Sequence, residues 1–148
     1  MNKKDFFDEV DSAIDDNKAK QDNQRKKDKA LSVFFSDEIK SITPMLKNYE
    51  STLNEKGMKC DLKLGEGSFS FTIKHNNGNN HTLSFSLDNQ DEFRSYNFYT
   101  YFRDEKNGSP MKSTDAKPYN KENWSHEMVE ERIQKHIEDF MFYQKRHM

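Results

Sequence analysis

The chain has 148 residues, 34% charged and 32% hydrophobic, with a net charge of -2. That length holds one domain with at most an appendage, and so small a net charge excludes the highly charged class of disordered chains and argues against a dominant nucleic-acid field, leaving room only for a local basic patch. The aromatic content of 13%, led by twelve Phe, predicts a small core of large side chains, as a sheet with one apolar face covered by helices would provide.

Residues 1–29 read as a charged N-terminal arm, helical or partly disordered. Phe6, Phe7, Val10 and Ile14 recur at helical spacing among Asp5, Asp8, Glu9, Asp11, Asp15 and Asp16. From Lys18 the sign reverses, through Lys20 and on to the run Arg25, Lys26, Lys27 and Lys29. Acid early and base late suits a helix macrodipole, so one long exposed helix and a frayed, solvated arm both fit the pattern. Phe6, Phe7, Val10 and Ile14 form a candidate partner-binding stripe, able to meet another protein, a second copy of the chain or its own domain. Arg25, Lys26, Lys27 and Lys29 are the candidate nucleic-acid contacts.

Residues 30–148 read as a single α+β domain. Leu31, Phe34, Phe35, Ile39 and Ile42 follow a helical spacing. Pro44 then disfavours helical geometry at Thr43, which predicts a kink there and a second helix capped by Thr43. That helix carries Met45, Leu46, Tyr49 and Leu53, runs to about Lys56, and is closed by Gly57 as C-terminal cap.

From Met58 to Arg103 the pattern changes to strict alternation, the signature of strands with one buried and one wet face. Cys60, Leu62 and Leu64 share a face, as do Phe69, Phe71 and Ile73, then Leu83, Phe85 and Leu87, then Tyr96, Phe98 and Phe102. A two-residue Glu66-Gly67 turn sets Leu64 opposite Phe69 and Leu62 opposite Phe71. The Asn-rich second turn must be odd in length to keep the apolar faces together, with Gly78 or Asn79 at positive φ, and is expected to pair Ile73 with Leu83 and Phe71 with Phe85. Asp88 to Glu92 forms the third connection. A long polar loop from Asp104 to Asn120 follows, and then Trp124 and a last helix capped by Ser125, with Met128, Val129, Ile133, Ile137 and Phe140 on its apolar stripe.

The expected fold is therefore α+β: a four-stranded antiparallel meander with N-terminal and C-terminal helices packed on one face, in the order α-β-β-β-β-α. This order resembles that of double-stranded-RNA-binding domains. The strands here number four, however, and Ser125-His126-Glu127 stand in place of that family's basic start to the second helix, so no residue role carries over.

Cys60 is the only cysteine, which excludes a disulfide within the chain, and its inward position suits a small buried hydrophobe rather than a nucleophile. His75 and His81 border the second turn, where a solvated pair is expected, and His136 reads as a boundary residue of the last helix. The sequence contains no nucleophile-elbow or phosphate-binding glycine pattern and no zinc-like cysteine spacing. The expectation is a protein that is not an enzyme and takes no cofactor or metal. The absence of an apolar signal or membrane-spanning run leads to the expectation of a soluble, cytoplasmic protein with no membrane partner.

The outward sheet face is rich in hydroxyls and carries Tyr99, Tyr101 and Arg103, residue types enriched at protein interfaces and able to stack on bases. The leading expectation is a small non-catalytic protein-binding module of inhibitor, immunity or accessory type, working through Tyr99, Tyr101 and Arg103, through the N-terminal stripe, or through both. A homodimer through the N-terminal helix is one form of this. The alternative is a nucleic-acid-associated protein using Tyr99, Tyr101 and the Lys18 to Lys29 basic run.

Overall fold

The computed structural model describes residues 2–76, 78–90, 93–103, 111–114 and 118–146. Its elements are α1 (Lys3–Glu55), β1 (Lys59–Gly65), β2 (Ser68–Lys74), β3 (Asn80–Gln90), β4 (Phe93–Arg103), β5 (Met111–Thr114) and α2 (His126–Arg146). The strands form one antiparallel sheet in chain order, and the expected α-β-β-β-β-α arrangement is found, with β5 added at the far edge. Both helices pack on the apolar face.

α1 is one helix of 53 residues. Asn2 caps its start by accepting from the Asp5 amide at 2.9 Å. Gly57, at φ 94°, closes it in a Schellman turn, with the Met58 amide donating to the Leu53 carbonyl and the Gly57 amide to that of Asn54. The expected break at Thr43-Pro44 is corrected: α1 runs through Pro44, and Thr43 donates its hydroxyl to the Ile39 carbonyl instead of capping a new helix. Phe35, Ile39, Ile42, Leu46 and Leu53 are all buried, and they reach one core only if the helical phase is kept across Pro44. Pro44 and Lys40 are exposed, so the hydrogen bond that Pro44 cannot make is lost on the solvent side.

The β1–β2 register is as expected, Leu64 opposite Phe69 and Leu62 opposite Phe71, with Gly67 at φ 66° in the turn. Between β2 and β3 the connection is odd in length, with Gly78 at φ 88°, but the register is two residues from the expected one. Phe69 faces Phe85, Phe71 faces Leu83, and Ile73 faces His81. The hydrogen bond from the His75 amide to the Asn79 carbonyl tightens the turn one residue earlier than the sequence suggested. A shift of two keeps every side chain on its face and changes only its neighbour. β3 and β4 extend further than expected, to Gln90 and from Phe93, while β5 occupies part of the expected 104–120 loop. Residues 104–110 and 115–117 of that loop lie outside the described residues, as do 91–92, while Tyr119 near its end bridges to Tyr96.

The core is aromatic. Phe35, Phe85, Phe98 and Trp124 pack ring to ring, with centroids 5.0 Å apart for Phe35–Phe85, 4.7 Å for Phe85–Trp124 and 5.0 Å for Phe85–Phe98. Glu38 accepts from the Trp124 indole and also bonds His126, tying the start of α2 to α1. The outer edge of β1 is capped by α1. Asn54 accepts from the Cys60 amide and donates to the Cys60 carbonyl, and Glu50 accepts from the Leu62 amide. Phe85→Ala, which opens a cavity at the centre of the ring cluster, should lower the unfolding free energy by about 3–5 kcal/mol in a urea titration.

Candidate functional site

The first half of α1 extends beyond the globular body. Residues 2–27 are exposed on every side, a free helix roughly 37 Å long. Phe6 and Phe7 are each 53% exposed, Ile14 47% and Val10 37%. At about 100° per residue these four fall on the same side of the helix as Phe35, Ile39, Ile42 and Leu46. The stripe that packs on the sheet therefore continues past the end of the body with none of the described residues of its own domain upon it. Arg25, Lys26 and Lys27 are exposed on the same free segment, and Lys29 is exposed just beyond it.

The outer sheet face differs from expectation at its centre. Tyr99 is 3% exposed and donates its hydroxyl to Asp88 at 2.8 Å. Burial first, and then that hydrogen bond, hold the phenol above its ordinary pKa. The expected pair of exposed tyrosines is thus corrected to one: Tyr101, half-buried, with its ring 6.2 Å from that of Tyr99. Arg103 ends β4 opposite Asn80, and its side chain lies outside what the structure describes. On this face the Thr72 and Thr82 hydroxyls bond to each other at 2.9 Å.

A groove of about 370 Å³ lies between the helices, lined by Tyr49, Thr52, Leu53, Gln134 and Ile137. The Tyr49 hydroxyl donates to Glu130 and accepts from Gln134, each at 2.9 Å, so the polar groups at its rim are engaged with one another. Cys60 is half-buried, and burial, with Glu50 adding to it, raises its thiol pKa to about 11. A thiol held that high stays protonated and is a poor nucleophile.

The histidines depart furthest from expectation. His75 and His81 are not a solvated pair at a turn; their rings lie 4.9 Å apart at the end of the core. His75, 7% exposed, stacks on Phe140 at 4.1 Å, and His81 packs edge-on against Phe102 at 4.8 Å. His136, 6% exposed, joins them from α2, its Nε2–H donating to the His81 carbonyl at 3.3 Å. The His81 Nε2 atom is buried without a hydrogen-bond partner among the described residues. Burial, reinforced by His75 and His136, lowers the His81 pKa to about 4. Burial also lowers His136 to about 4, against the opposing pull of the His81 carbonyl and Asp139. Among the described residues no three His, Cys, Asp or Glu side chains are arranged to hold a metal, and no helix is long and apolar enough to cross a membrane.

No family model matches this chain, and neither does any curated protein or solved structure.

The buried histidines make stability depend on pH. Folded His81 and His136 take up protons only near pH 4, whereas in the unfolded chain they do so near 6.5. Their stabilisation is thus fully present above about pH 6.5 and is lost as pH falls toward 4. For His136 the loss amounts to about 3 kcal/mol. Thermal unfolding followed from pH 7 to pH 4 should show a steep fall in Tm, made shallower by His136→Leu.

Proposed function

We propose that this protein is a non-catalytic binding module whose principal interface is the free half of α1. The observation that carries the reading is the continuation of the core-facing stripe, through Ile14, Val10, Phe7 and Phe6, along a helix that leaves its own domain. Large apolar side chains repeated on one face of an exposed helix suit helix-in-groove or helix-on-helix recognition. Tyr101, on the outer sheet face, is a secondary contact in this reading, and an inhibitor, immunity or accessory role in the cytoplasm fits a protein of this kind.

Two features of the sheet support assigning the interface to the helix. The β1 edge is capped by Asn54 and Glu50, which disfavours addition of a partner strand there. Tyr99 is committed to Asp88, so the outer face offers less apolar area than its sequence suggests.

Binding to nucleic acid through Arg25, Lys26, Lys27 and Lys29 is the second reading, favoured by the exposure of all four on one helix segment. The acidic turns that precede them weaken the field this run can produce.

Val10→Glu with Ile14→Glu alters positions outside the core and should leave the globular body folded, with any loss of helix signal confined to the free half of α1, while lowering partner affinity at least tenfold. Tyr101→Ala should lower it by less. Affinity retained in the double variant would exclude the stripe, and a salt-sensitive gel shift of duplex or single strands, abolished by replacing the four basic residues, would favour the second reading.

A further inference from the structure

We infer that the stripe on the free half of α1 is covered by a second copy of this chain lying antiparallel, an assignment that rests on reading the stripe as a binding surface. Starting at Phe7, steps of three and four residues alternately lead through Val10 and Ile14 to Leu31, where the helix joins the body. Such spacing is the seam of a two-stranded coiled coil. Reversed upon itself, the seam matches about a point between residues 17 and 21: Phe7 meets Leu31, Ile14 meets Gln24, and Asn17 meets Gln21. Val10 falls opposite Asp28. Gln24 donates its amide to the Asp28 carboxylate at 2.9 Å along the helix, so these two polar heads engage each other.

Charge selects the direction. Residues 5–16 carry six carboxylates and no cation, while residues 22–33 carry four cations and two carboxylates, a net of +2. A parallel pair would set six negative charges against six. An antiparallel pair sets -6 against +2 twice over, with Asp11 of each copy on the flank opposite Arg25 of the other. The polar layers at Asn17 and Gln21 fix register at the cost of stability, as a single buried polar seam position does in coiled coils.

The body supplies a receptor at the right place. Leu31, Leu87 and Tyr96, with Asp28 and Ser32, line a small notch where α1 meets the sheet. Leu87 is 37% exposed and Phe7 53% exposed. In the antiparallel register Phe7 of one copy arrives at Leu31 of the other, beside that notch, and the two-fold axis makes the contact twice.

The full chain should sediment at twice 17.6 kDa, with association weakened at least tenfold by Val10→Glu and Ile14→Glu. In a Cys60→Ser background, chains bearing Phe7→Cys and Leu31→Cys should crosslink when mixed under mild oxidation, and neither should crosslink alone. Crosslinking of the Phe7→Cys chain with itself would overturn the antiparallel assignment in favour of a parallel pair. A monomer over roughly a hundredfold concentration range would overturn self-association altogether. A monomer that still loses a protein partner on Val10→Glu and Ile14→Glu would sink the second copy as occupant and leave the stripe as an interface. A monomer indifferent to those changes would remove both.

Discussion

The helical phase of α1 is the constraint on which the other features of this protein depend. Phe35, Ile39, Ile42, Leu46 and Leu53 are buried because they recur on one side of one helix, and that side is preserved across Pro44. A proline inside a helix costs about 3 kcal/mol. Burying a Leu or Ile side chain contributes about 1.5–3 kcal/mol, so several buried residues on both sides of Pro44 outweigh the break. The same phase, carried in the other direction, places Ile14, Val10 and Phe7 on the core side of a helix that has left the core. Core and candidate interface are thus one stripe divided by where the sheet ends.

The sheet, by contrast, is mostly committed. Its inner face is filled by rings, its β1 edge is satisfied by Asn54 and Glu50, and the centre of its outer face is taken by the Tyr99–Asp88 hydrogen bond. Buried hydroxyls such as that of Tyr99 need a partner, and Asp88 provides one within reach across the β3–β4 ladder. The surface that looked most like an interface by residue type is partly internal structure.

Most of the fold was legible in the sequence because alternation survives local error. Strand identities, the first hairpin register, the caps at Gly57 and Ser125, and both helices follow from periodicity and turn chemistry. Three features were not legible. The continuity at Pro44 is a tertiary effect, invisible to a rule about the residue before proline. β5 is four residues long and draws its stability from pairing with β4 rather than from its own pattern. The burial of Tyr99 depends on a neighbour eleven residues away whose role no spacing announces. The histidine cluster was within reach. If Ile73 points inward, then His75 does too, and the same alternation carries inward from Leu83 to His81. What the residues themselves conceal is His136, brought alongside from α2 across 55 positions of sequence.

A free helix of this composition is hard to sustain alone. Isolated helices gain little per residue and are marginal in water even when rich in alanine, and the stretch from Asn17 to Lys29 has almost no apolar residues to offer. Its first turns are helped by the Asn2 cap and by acid near the N-terminus, effects of about a kcal/mol or less each. Continuity with the buried half removes the nucleation cost, so the free half needs only propagation. Propagation through a polar stretch toward four large apolar residues makes sense if those residues are themselves held at the far end. A second helix with the opposite run of charge would do so, and the segment from Asp22 to Val33 of the same chain is such a helix.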